Sequence, residues 1–239
     1  TRILEITAKP ALQNVFKEGG RFDAAENIKN KSAEEGSLLH ETVQNFLSGK
    51  PTVIPESLNG ALKAFQKFNV EKKIALLDGF IERPVWSYRH RYSGTVDALA
   101  TIDNKFGVLD IKTSTGFYPE YNLQTSAYVS ALQEFDVKKS VGLDRNIETR
   151  WILRIDQKKI CRRCGASLRE KGGRKKIRNS KNDYMPLCPE NEHEWGEQAG
   201  EVELREFPYF YKDFRAFVAA KILWEWENDY WLKKVGYLR

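Results

Sequence analysis

The sequence predicts an α/β fold, a central mixed β-sheet flanked by helices, with one inserted module. Three observations predict it. Helical and strand-like stretches alternate along the 239 residues, ending on a long amphipathic helix. Two consecutive runs alternate apolar and polar residues with period two, the mark of a sheet with distinct faces. A polar, basic, cysteine-bearing segment then interrupts the pattern before a last strand and helix.

Taken in order, residues 32–48 read as a helix. Ser32 and Glu35 have the spacing of a capping box, and Leu38, Leu39, Val43, Phe46 and Leu47 form its apolar stripe. Residues 56–73 read as a second helix that buries Leu62, Phe65 and Phe68. Residues 74–155 read mainly as strands, broken by a helix around 120–133. A glycine-containing basic segment runs from about 157 to 200. A strand over 202–207 and a helix over 209–234 close the chain. The expected division is a core of residues 1–156 and 201–239 with an inserted module over 157–200.

Composition narrows the function. The chain is 41% hydrophobic and 30% charged, as folded water-soluble domains are. No stretch at its start reads as a signal peptide, and no apolar run reaches the roughly 18 residues of a membrane span. The expectation is a protein without a membrane partner. The chain opens on Thr1 rather than methionine, so residues ahead of it are expected. Three cysteines make a disulfide framework improbable and point to a reducing compartment, the cytoplasm of a bacterial, archaeal or phage-infected cell. The net charge is +6, unevenly spread. Lys158 to Lys181 holds eleven Lys and Arg against one acid, Glu170, a net of +10 that leaves −4 for the rest. Such a run is usually a solvated surface; concentrated this far, it also fits an anionic partner such as nucleic acid.

The stretch GTVDALATIDNKFGVLDIKTS, Gly94 to Ser114, carries the chemistry. Residues 92–102 and 105–113 alternate, and Asp103-Asn104 between them tolerates the positive φ of a two-residue turn. That turn sets a register in which Asp97 lies opposite Asp110, with Lys112 two residues on and on the same face. Two carboxylates whose Cβ atoms lie about 5 Å apart repel unless a cation lies between them. Oxygen ligands of this kind select Mg²⁺ or Mn²⁺. His40, in GSLLHETV, lies on or near the apolar side of the first helix, where a packed histidine is the commoner reading. Gln124 and Tyr128, in QTSAY, are four apart and share a helix face.

GSLLHE, GTVD, DIK and QTSAY, in this order, resemble the PD-(D/E)xK nuclease superfamily, in particular its RecB-like branch. That branch includes exonucleases of CRISPR adaptation, of phages and of mitochondrial genome maintenance. The opening TRIL is similar as well. The resemblance spans roughly residues 1–155 and the C-terminal helix, not the basic segment, and Val96 stands where the motif's name has proline. It implies a restriction-endonuclease-like core. It also implies a catalytic Mg²⁺ or Mn²⁺ on Asp97, Asp110, His40 and the carbonyl of Ile111. Lys112 would orient the attacking water, and Gln124 and Tyr128 would position Lys112 or the DNA. Glu82, on a preceding strand in GFIERPVW, matches no motif but could extend the ligand set. The implied function is a DNA nuclease, expected to act as an exonuclease on single-stranded DNA or DNA ends in replication, recombination or repair. The alternatives are a non-catalytic nucleic-acid-binding or assembly subunit that keeps the fold, and a zinc-ribbon binding protein.

The segment 157–200 has its own chemistry. Cys161-x2-Cys164 is followed by glycine, and Cys188-x4-His193 follows after 23 intervening residues, a Cys3His set suited to closed tetrahedral Zn²⁺. The expected module is zinc-ribbon-like, with a structural zinc and a long basic loop presenting Arg162, Arg163, Arg174, Lys175, Lys176 and Arg178 to a phosphate backbone. Relatives that hold an iron–sulfur cluster use four cysteines. Three are present here and none precedes His40, so that cluster is not expected.

Overall fold

The computed structural model describes residues 22–180, 188–189 and 192–238. The TRIL opening and part of the segment between the two halves of the Cys3His set lie outside the described residues. The fold is α/β, with a mixed open sheet flanked by helices. Seven strands form one sheet in the order β1-β2-β3-β4-β5-β6, and β7 also pairs β4. The strands are β1 (Ala75–Ser87), β2 (Tyr92–Ile102), β3 (Lys105–Lys112), β4 (Thr149–Cys161), β5 (Ser167–Lys171), β6 (Arg174–Arg178) and β7 (Trp195–Glu206). The helices are α1 (Phe22–Leu47), α2 (Asn59–Lys72) after a 3-10 turn at Glu56–Leu58, α3 (Pro119–Gln133), α4 (Phe135–Val141), α5 (Tyr211–Glu227) and α6 (Asp229–Lys234). Among the described residues no helix is long and apolar enough to cross a membrane.

Contacts divide the chain into two compact units. The first contains residues 22–72, Ile111–Thr115 and Arg154–Glu203. Its helices bury Val43, Ala61 and Phe65 completely. The helix expected over 32–48 begins at Phe22, so Ser32 is not a cap. Nothing between residues 22 and 35 breaks a helix, as no glycine or proline occurs there. Glu35 is used differently, accepting the backbone N–H of Gly172 at 3.0 Å. The apolar stripe is narrower than expected: Leu39 and Val43 are buried, whereas Leu38 and Phe46 are partly exposed.

The second unit contains Lys73–Asp110, Gly116–Leu153 and residues 204–238. Its core joins Phe80, Leu99, Phe106 and Val108 from the strands to Val129 and Leu132 of α3. Arg150 on β4 is fully buried and bonds Asp213 on α5, which the chain needs because a buried guanidinium without a carboxylate is costly. The short helix α4 was not foreseen. The terminal helix, expected unbroken over 209–234, divides at Asn228 into α5 and α6.

The segment expected as a basic loop is in part a β-hairpin. β5 and β6 pair with Lys171 against Arg174, Glu170 against Lys175 and Arg169 against Lys176. The turn is Gly172-Gly173, with φ of 61° and 77°, which matches the twist of a two-residue hairpin.

Candidate functional sites

In the second unit, β2 and β3 pair in the register set by their turn. Asp103 and Asn104 both have positive φ, 49° and 64°. The paired residues run from Ile102 and Lys105 to Ala98 and Leu109, so Asp97 and Asp110 are the next residues on the two strands. Asp110 is fully buried. Lys112 ends β3 two residues later and is half-buried.

A third carboxylate joins from β1. Its register against β2 shifts between Leu76 and Ile81, where Gly79 takes φ of 78°. Beyond the shift, Ile81 pairs Ala98 and Arg83 pairs Val96. Glu82 is therefore held across from Asp97. Their carboxylate oxygens lie within 4.8 Å of each other. Glu82 also has φ of 48°, unusual for a residue with a side chain. Adjacent strands β1, β2 and β3 thus carry Glu82, Asp97 and Asp110. The Glu82 and Asp97 oxygens are close enough to serve as donors for a hard divalent cation, and Asp110 is carried on the next strand.

Gln124 and Tyr128 lie on one face of α3, where the Gln124 amide Nε2 donates to the Tyr128 hydroxyl at 2.7 Å. Tyr128 packs on β2: a Cβ added to Gly94 would come within 2.8 Å of its Cε1. The glycine of GTVD therefore leaves room for the tyrosine of QTSAY. In the first unit, His40 sits half-buried on α1, next to buried Leu39. Ile111, the remaining expected ligand through its carbonyl, is buried at the end of β3.

The first unit brings all four sulfur and imidazole candidates together. One ligand atom from each of Cys161, Cys164, Cys188 and His193 lies within 4.8 Å of the others. Cys164 Sγ is 3.4 Å from His193 Nδ1. A tetrahedral zinc with bonds of about 2.3 Å to sulfur sets its ligands about 3.8 Å apart, so the spacing fits. The first pair sits at the end of β4 on a turn closed by Gly165, whose φ is 69° and whose N–H donates to the Cys161 carbonyl at 2.9 Å. The second pair is tied in where the Arg162 N–H donates to the Glu194 carbonyl at 2.8 Å. The His193 ring stacks on Trp195, centroids 4.6 Å apart.

The thiols titrate apart. Burial opposes ionisation of Cys161, but the N–H groups of Cys164 and Arg163 and the His193 ring bring it down to about 6. Burial, then the neighbouring Cys164 and Cys161, pushes Cys188 up to about 11. Three thiols this close cannot all ionise without a cation among them.

The basic residues do not share one surface. Arg162 and Arg163 lie on the Cys161–Cys164 turn, and Arg163 turns toward Glu192 and Glu194, 3.8 and 4.0 Å away. Arg174, Lys176 and Arg178 alternate with Lys175 along β6. Lys175 instead pairs Glu170 at 3.2 Å.

Glu82 stands in no motif, yet the sheet places it beside Asp97. The signal was Asp78-Gly79, a bulge dipeptide that resets the strand three residues before it. Compared with protein-family models and with curated proteins, the chain finds no match.

Proposed function

We propose that the chain is a divalent-metal-dependent deoxyribonuclease of the cytoplasm. Its core would be restriction-endonuclease-like and its zinc-ribbon-like insertion structural. The alignment of Glu82 with Asp97 on adjacent strands, with Asp110 and Lys112 on the third, carries this reading. The ordered motifs add His40 and the Ile111 carbonyl to the ligands. Mg²⁺ or Mn²⁺ held by these residues would supply Lewis-acid polarisation of the phosphoryl oxygen and lower the pKa of a bound water.

The chain's own groups do the rest. Asp97, Asp110 and Glu82 hold the negative charge that retains the ion. The Lys112 ammonium orients the attacking water and balances charge building on the phosphate. Tyr128, fixed by Gln124, positions Lys112 or the strand to be cut. Cys161, Cys164, Cys188 and His193 would hold Zn²⁺ as a fold element, because a segment this polar buries little apolar surface of its own.

The test is cleavage of end-labelled DNA, single- and double-stranded, linear and circular, with Mg²⁺, Mn²⁺ or EDTA. The expected result is metal-dependent hydrolysis favouring single strands or ends, lost in Asp110→Ala and Lys112→Ala. No cleavage of any DNA, or full activity in both variants, would refute it.

A further inference from the structure

The β5–β6 hairpin sorts its charge by face. Partners across an antiparallel pair point the same way. Leu168 with Ile177 and Glu170 with Lys175 therefore share one face. Ser167 with Arg178, Arg169 with Lys176 and Lys171 with Arg174 share the other. The first face is neutralised: Glu170 lies 3.2 Å from Lys175 and 3.5 Å from Lys159 of β4. The second carries five cations and, within the hairpin, no acid.

That second face is anchored at two points. Arg169 is bound by Asp156 at 2.8 Å. Lys171 donates through Nζ to the Thr113 carbonyl and, at 3.0 Å, to its hydroxyl. Thr113 follows Lys112 in the chain. The hairpin tip is seated on α1 as well. The Gly172 N–H donates to Glu35, and a Cβ at Gly172 would meet Ser32 Oγ at 2.0 Å and the Ile28 carbonyl at 2.5 Å. Lys176 and Arg178 are exposed. Among the described residues neither has an acid within 4.0 Å.

We propose that this single face, through Lys176 and Arg178 with Arg174 beside the tip, is a guide rail for the phosphate backbone of a DNA strand, held in fixed register to the strand end that carries Lys112. Residues two apart on a strand are about 6.7 Å apart, a step suited to successive phosphates of an extended chain. Cations on a rigid hairpin lose less freedom on binding than cations on a loop. The inference rests on the reading of the chain as a DNA enzyme and adds where the strand runs.

The test compares two charge-matched double variants on the same hairpin: Lys176→Gln with Arg178→Gln, and Lys159→Gln with Lys175→Gln. Binding of a fluorescein-labelled single-stranded oligonucleotide is measured by anisotropy across a salt series, without added Mg²⁺ or Mn²⁺. Zinc content and melting temperature confirm folding. The first pair is expected to bind more weakly, with the slope of log K against log salt reduced by up to about 1.4, about 0.7 per lost contact. The second pair keeps the wild-type slope. Equal effects in both pairs, no effect in either, or no binding by the wild type would overturn the proposal. Wild-type cleavage separates the two readings. Face-specific binding without cleavage sinks the nuclease alone, and cleavage with both pairs unaffected sinks the rail alone.

Discussion

Two sets of candidate metal ligands stand out among the described residues, and they are assembled in opposite ways. Cys161 and Cys164 share one turn, and Cys188 and His193 lie five residues apart before β7. Glu82, Asp97 and Asp110 come from three strands. The sulfur cluster depends on local turns; the oxygen cluster depends on the register of a sheet. Their chemistry differs in the same sense. Thiolates and imidazole suit a zinc that stays and closes its coordination. Carboxylates suit a cation that keeps waters and exchanges. Losing metal should therefore unfold one region and merely silence the other.

The largest effect follows from that contrast. Structural zinc contributes on the order of 10–16 kcal/mol to small zinc-dependent folds. Cys164→Ser, or stripping of zinc, is expected to expose residues 157–200 to limited proteolysis, with no rescue by Mg²⁺. Brief EDTA treatment should abolish cleavage, and Mg²⁺ should restore it wherever zinc is retained. If loss of zinc leaves the protease pattern unchanged, the sulfur cluster is not a fold element.

The oxygen cluster should respond in rate instead. Asp110→Asn and Lys112→Ala are expected to lower kcat by roughly 10²–10⁴ while zinc content stays the same. Asp110 is fully buried, and burial penalises its charge, so removing that charge should leave the melting temperature level or raise it. A large fall in melting temperature would mean that its carboxylate is structural. Glu82→Gln should be milder. A tenfold rise in the Mg²⁺ needed for half-maximal rate corresponds to about 1.4 kcal/mol. Activity unchanged at limiting Mg²⁺ would remove Glu82 from the ligand set.

These differences track what could be read from the sequence. The Cys-x2-Cys-Gly turn is a local signal, and the four candidate ligand side chains do come together. The Asp103-Asn104 turn is local too, and it carried the register of β2 and β3. Glu82 depends on a bulge, and a bulge changes which residues face each other without changing composition. The hairpin at Gly172-Gly173 was hidden because its strands, SLREK and RKKIR, are charged on both faces and show little apolar alternation. Ser32 and Glu35 match a capping pattern, but the helix-permissive residues before them carry α1 back to Phe22. For Glu82 and for the hairpin, pairing rather than propensity decides.

The smallest effect tests the quiet face of the hairpin. Glu170 holds its carboxyl below the ordinary value of 4.5, first because Lys175 hydrogen-bonds it, and also through Lys159. A lowered folded-state pKa adds stability that is present above 4.5 and fades as pH falls through the lowered value. The Lys175 side chain is 73% exposed, so the pair contributes only about 0.2–1 kcal/mol. Glu170→Gln should therefore melt slightly below wild type at pH 7, and the gap should close in acid. The same substitution releases Lys159 and Lys175 on the face bearing Leu168. If DNA runs along the other face, the salt slope of binding stays at the wild-type value despite the added positive charge. A steeper slope would mean that the strand reaches both faces, and the hairpin would then be a general basic surface instead of a rail.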